Sequence, residues 1–146
     1  ALLARAPQSA DVAAARSSAH LALGEAEAAL SAARQALQLD RHNPAASFNL
    51  GRALMEIGEP EPAAAAFADA ERLFPGVAEI SARRGEAAYL AGDDGAAEAA
   101  LRRALDRAPA HPRAFALLAE LLHQRADRPA LDRLLQGAAH AGGAQA

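Results

Sequence analysis

Asn43-Pro44-Ala45-Ala46-Ser47-Phe48-Asn49-Leu50-Gly51-Arg52-Ala53-Leu54-Met55-Glu56-Ile57-Gly58 is a helix written with its own punctuation. Asparagine accepts a hydrogen bond from a first-turn N–H, and proline is tolerated best at the first helical position. Glycine past the last turn is a stop. Leu50, Leu54 and Ile57 recur at spacings of four and three, which puts them on one face. The chain then reads as a second helix from about Pro60 to Leu73, closed by Pro75-Gly76. Both Pro60 and Pro62 belong to its first turn, because an interior proline costs about 3 kcal/mol. Ala63, Phe67, Ala70 and Phe74 mark the face it buries.

The same unit recurs every 34 residues. Gly51 is followed by Gly85; Gly24, Gly58 and Gly92 keep the step, as do Ala29, Ala63 and Ala97, and Pro75 and Pro109. A fixed period of this length means stacked copies of one supersecondary unit. The blocks run 10–43, 44–77, 78–111 and 112–145, and the outer two are degenerate. Ser17 stands for the first glycine and Arg41 for the closing proline, while Ala119, Ala126 and Leu131 replace small residues in the last block. The final helix is expected from about Pro129 to His140, with Leu131, Leu134, Leu135 and Ala138 on one face, and Gly142-Gly143 as a loose tail. Leu2 to Pro7 resembles Ala104 to Pro109 three periods on, so residues 1–9 read as the tail of a preceding repeat, in a chain cut from a longer array.

These residues resemble the tetratricopeptide repeat (TPR). Leu50-Gly51, Leu54, Ala63, Phe67, Ala70 and Pro75 match its pattern, and Gly85, Ala97, Leu101, Ala104 and Pro109 repeat it. The tryptophan near the start of the family's first helix is absent; Phe115 stands there in the last block. The resemblance implies an all-α fold: a right-handed α–α superhelix, or solenoid, of about four helix-turn-helix repeats in one domain spanning 1–146. It further implies that the first helices line a concave groove that receives a peptide.

Composition narrows the function by exclusion. There is no cysteine, so disulfides, thiol catalysis and thiolate metal sites are out, and the redox compartment stays open. The basic residues are arginines, set among carboxylates that outnumber them, with net charge -3, which argues against nucleic acid as the partner. No apolar run is long enough for a membrane span. The alanine- and arginine-rich composition points to a GC-rich, bacterial genome. His20, His42, His111, His123 and His140 contain no i, i+4 pair and no His-Glu-x-x-His, so no metal or cofactor is expected. His42 and His111 fall between blocks and read as solvated turn residues, and His20 as a partly buried, satisfied one. Gly92-Asp93-Asp94-Gly95 reads as a helix stop followed by a cap. No catalytic constellation is present, and the chain is not expected to be an enzyme.

Helical spacing and the resemblance together select a candidate groove: Phe48, Asn49, Arg52 and Met55 on one first helix, Arg83, Glu86 and Tyr89 on the next, Glu120 and His123 on the last. Large apolar side chains among charges suit a peptide partner. Asn49 and Arg83 also match two positions of the chaperone-tail clamps in the family, but Ala14, Ser18 and Glu79 stand where that clamp needs Lys, Asn and Lys. The expectation is a scaffold for a protein or peptide partner. One alternative is the non-catalytic arm of a bacterial glycosyltransferase, sulfotransferase or hydroxylase that positions a polypeptide substrate; another is self-association.

Overall fold

The computed structural model describes residues 9–143. Among them are eight α-helices and no strand: α1 (Ala10–Ala22), α2 (Ala26–Leu39), α3 (Pro44–Ile57), α4 (Pro60–Leu73), α5 (Ala78–Leu90), α6 (Asp94–Arg107), α7 (Pro112–Gln124) and α8 (Arg128–Gly143). The all-α helix-turn-helix class read from the sequence is the class observed. α3 and α4 have the bounds their prolines and glycines predict. The resemblance of Leu2 to Pro7 to a later segment lies outside the described residues.

The chain gathers into two compact units, one up to Pro75 and one from Gly76. In the first, α1 packs on α2, α3 on α4, and α1 and α2 each on α3. In the second, α5 packs on α6, and α7 on both. The core of the second unit is Leu101, Leu118 and Leu122 with small residues around them, including Ala82, Ala104 and Ala114. Each such buried leucine contributes about 1.5–3 kcal/mol relative to an exposed one.

In the α3–α4 and α5–α6 pairs, close approach rests on one small residue facing one large one, 16 positions later. A Cβ added to Gly51 would lie 2.6–2.8 Å from the Phe67 ring, and one added to Gly85 would lie 2.7 Å from Cγ and Cδ2 of Leu101. Phe67 and Leu101 are both fully buried. In the first pair the corresponding residues are Ser17 and Ala33, both small and both wholly buried. The Ser17 hydroxyl donates to the Ala29 carbonyl at 2.8 Å. In the last pair they are Ala119 and Leu135. Leu135 is left 48% exposed, and α8 packs along much less of α7 than its counterparts do on theirs.

Three expectations fail locally. Phe74 is 52% exposed: it is the C-cap residue, one past the helix, with φ -126° and ψ 73°, and so leaves the face that Ala63, Phe67 and Ala70 occupy. Leu135 is 48% exposed where a buried face was expected, because α8 packs along little of α7. Gly142 and Gly143 are the last residues of α8, not a loose tail. The turns are as read: Gly24, Gly58 and Gly92 have φ of 76°, 91° and 84°, and Asp93 caps α6 by accepting from the Ala96 N–H. At the same step in the last pair, Ala126 takes φ 56°, the one described non-glycine residue in the left-handed region.

Candidate partner-binding surface

Two N-caps tie consecutive first helices together. Asn43 accepts from the Ala46 N–H at 3.0 Å and so caps α3, while its amide nitrogen donates to Asp11 of α1 at 2.8 Å. His111 does the same in the second unit. Its Nδ1 accepts from the Ala114 N–H at 3.2 Å and its Nε2 lies 2.7 Å from Glu79 Oε2 of α5. An Nδ1 that accepts places the ring proton on Nε2, where it is donated to the carboxylate. His111 is therefore a cap and a strap, not a solvated turn residue; its side chain is 14% exposed. The sequence signal was available: Asn43-Pro44 and His111-Pro112 are the same cap-then-proline pair, 68 residues apart.

Glu79 is the hub of α5. It accepts from Arg83 Nε at 2.8 Å and from His111, and Arg113 Nη1 stands 3.6 Å away. Burial raises its pKa, but the hydrogen bonds from Arg83 and His111 and the positive charge beside it outweigh burial and leave the carboxyl below its ordinary value. Arg113 also approaches Glu86 at 3.6 Å. One turn further along, the Tyr89 hydroxyl donates to Glu120 at 3.0 Å and accepts from Gln124 at 2.8 Å, joining α5 to α7. His123 is exposed on α7. On α6, Glu98 takes hydrogen bonds from Arg102 and from Arg125, and these hold it below the usual carboxylate range against the opposing effect of burial.

In the first unit, Phe48 is partly buried, its ring centroid 5.6 Å from that of Phe67 at a tilt of 58°. The Arg52 guanidinium lies over the Phe48 ring at 5.9 Å, and Met55 is half-buried beyond it. Asn49 is the correction. It is 4% exposed, and its amide nitrogen donates to the Ala14 carbonyl at 3.1 Å and to Ser18 Oγ at 2.8 Å. Both amide hydrogens are used to hold α3 on α1, so Asn49 offers no donor to a partner. Of the nine residues selected from sequence, α3 thus brings Phe48, Arg52 and Met55 together in one unit. In the other, α5 and α7 bring together Arg83, Glu86, Tyr89 and Glu120.

Among the described residues no cluster of three His, Cys, Asp or Glu could hold a metal ion, and no helix is long and apolar enough to cross a membrane.

The tetratricopeptide repeat family profile matches residues 20–81. That stretch, from the end of α1 through α4 into the start of α5, carries the tetratricopeptide repeat. No curated protein matches it by sequence. Among solved structures, a crystal structure of MamA matches at TM-score 0.87 and 18% identity, covering 96% of this chain and 82% of that one. The first TPR of Spaghetti (RPAP3), solved with the HSP90 peptide SRMEEVD, matches at TM-score 0.77 and 20% identity, over 82% of this chain and 94% of that one. A mutant of Thermobaculum terrenum O-GlcNAc transferase matches at TM-score 0.70 and 25% identity, over 78% of this chain but 22% of that one. These likenesses show the fold class, an α–α repeat solenoid.

Proposed function

We propose that the chain is a non-catalytic interaction scaffold that recognises a partner polypeptide on the faces of its first helices. The observation that carries this reading is the Tyr89–Glu120–Gln124 set, in which one hydroxyl fixes a carboxylate and an amide on an exposed face spanning α5 and α7. Donors and acceptors held in place before binding cost little ordering when a partner arrives. Arg83 and Arg113 stand on the same two helices, already oriented by Glu79 and Glu86. In the first unit, Arg52 over Phe48, with Met55, supplies a cationic and apolar counterpart. Support also comes from the RPAP3 domain, a solved neighbour that holds a peptide ending in acidic and apolar residues.

The test is binding of a captured partner to the wild-type chain and to three variants. Tyr89→Phe and Arg83→Ala should each weaken binding about tenfold, since hydrogen bonds to charged groups are worth about 1.5–3 kcal/mol. Arg72→Ala, on α4, should leave it unchanged. Equal loss in all three, or in none, sinks the assignment of the face. A second reading, that the repeats are the arm of a larger enzyme, is favoured by the O-GlcNAc transferase likeness, which covers only 22% of that chain. The full reading frame around this chain decides it.

A further inference from the structure

The second unit carries a further surface, away from the first-helix faces. Between α6, α7 and α8 lies a cleft of about 640 Å³. Its walls are helical stripes. Arg102, Leu105, Asp106 and Pro109 on and just past α6 follow i, i+3, i+4, i+7, and Ala130, Arg133, Leu134, Gly137 and Ala138 do so on α8, continuing to i+8. Phe115 of α7, over the wholly buried Leu118, forms the floor. The corresponding cleft of the first unit, between α2, α3 and α4, is smaller, about 450 Å³, and has Arg34 and Asp69 on its lining. In the second unit, Gly137 stands at the place of Asp69 and Arg133 at that of Ala65, 68 residues on.

These differences have a direction. Arg133 on one wall and Asp106 on the other make no hydrogen bond or ion pair within the described residues, whereas Arg102 is tied to Glu98. A Cβ built on Gly137 meets nothing within 4 Å, so the middle of the α8 wall is open space. Two antiphase charges flank an apolar floor about two helical turns long, given 1.5 Å per residue. Ridges spaced i, i+3, i+4, i+7 accept the ridges of another helix. We propose that this cleft docks an amphipathic helix of a partner protein, with an apolar stripe seated on Leu105, Phe115 and Leu134. On that helix, an acidic residue on one flank pairs with Arg133 and a basic residue on the other pairs with Asp106. This surface is separate from the first-helix faces, and its partner need not be the same one.

The probe is a fluorescein-labelled 16-residue helical peptide (a length of about four turns). It carries a leucine stripe flanked by glutamates on one side and arginines on the other, and is read by anisotropy against the whole chain. A second peptide keeps the stripe and has lysine on both flanks. The first should bind, and the second at least about tenfold more weakly. Gly137→Leu fills open space on the α8 wall and should abolish binding, while Gly142→Leu, on the same helix outside the cleft, should leave it intact. Arg133→Asp puts a carboxylate on the α8 wall opposite Asp106 and should reverse the preference toward the lysine peptide. Binding that survives Gly137→Leu, equal binding of both peptides, or no binding at all overturns the proposal. So does a wild-type chain that dimerises in sedimentation while Gly137→Leu stays monomeric, because the occupant is then a second copy. Tyr89→Phe should not alter peptide binding, so failure here and failure of the first-helix face are read separately.

Discussion

His111 holds the Glu79 carboxylate at 2.7 Å while its other ring nitrogen caps the helix it precedes. Asn43 has the same relation to Asp11, in each case 32 residues back. A single side chain therefore sets where a first helix starts and fixes that start to the first helix before it. Removing it should cost more than an exposed cap. Asn43→Ala should destabilise the chain by about 1–2 kcal/mol, the upper part of the range for lost N-caps, because the Ala46 N–H loses its acceptor in a buried place. Urea denaturation followed by circular dichroism measures this. A change within a few tenths of a kcal/mol would mean that water replaces the cap at no cost.

The carboxylates of Glu79 and Glu98 make stability depend on pH in a defined sense. Both have folded pKa values below the ordinary 4.5. A carboxylate with a depressed folded pKa stabilises the fold above its unfolded pKa, and that contribution is lost as pH falls through the folded value. The midpoint of thermal unfolding should thus hold steady above about pH 5 and drop as the pH goes below 4.5. Glu79→Gln should flatten the drop, since a neutral side chain at that hub has no proton to take up. A wild-type curve and a Glu79→Gln curve of equal slope below pH 4.5 would show that the hub contributes nothing.

Gly85 and Leu101 should be energetically coupled. An alanine at 85 gains up to about 1 kcal/mol of helix propensity, but its Cβ would lie 2.7 Å from the branch carbon of a fully buried leucine. Overpacking of this kind costs about 1–3 kcal/mol, so Gly85→Ala should be destabilising on balance. Leu101→Ala alone should cost about 2–5 kcal/mol. The double variant, which copies the small second-helix residue of Ser17 and Ala33, should cost less than the sum by about 1 kcal/mol. Simple additivity would mean that the two residues do not meet.

The helices were legible because their ends are written in residues with one strong preference. Asn43, Pro44, Gly58, Pro60 and Gly92 each say start or stop whatever the tertiary context. The surface was less legible because facing depends on what lies across the gap. Asn49 looks like a groove donor by spacing. Its amide is consumed by the Ala14 carbonyl, and nothing in the local pattern says that a neighbouring backbone carbonyl is within reach. Arg83 was found, but not that Glu79 engages it together with His111 from another helix. Periodicity also counts a residue as buried one position past the point where the helix ends, which is why Phe74 was misplaced. That Ala119 stands where Gly51 and Gly85 face Phe67 and Leu101 was readable from the 34-residue step.

The turn between α7 and α8 carries strain that a single substitution should release. Gly24, Gly58 and Gly92 occupy the left-handed region at this step of the repeat, and Ala126 occupies it with a Cβ. A left-handed conformation costs an L-residue with a Cβ about 1–2 kcal/mol. Glycine removes that cost but frees the unfolded chain, which takes back about 0.4–1 kcal/mol. Ala126→Gly should therefore stabilise the α7–α8 turn by up to about 1 kcal/mol. The gain should be local. In α8 only Ala130 is fully buried, so this helix should open without the rest and exchange its amide hydrogens fastest of the eight. Hydrogen exchange of the wild-type chain and of Ala126→Gly should then differ in α8, with slower exchange in the variant, and coincide in α3 to α6. Faster exchange of α8 in the glycine variant would mean that the alanine is favoured there for a reason other than backbone conformation.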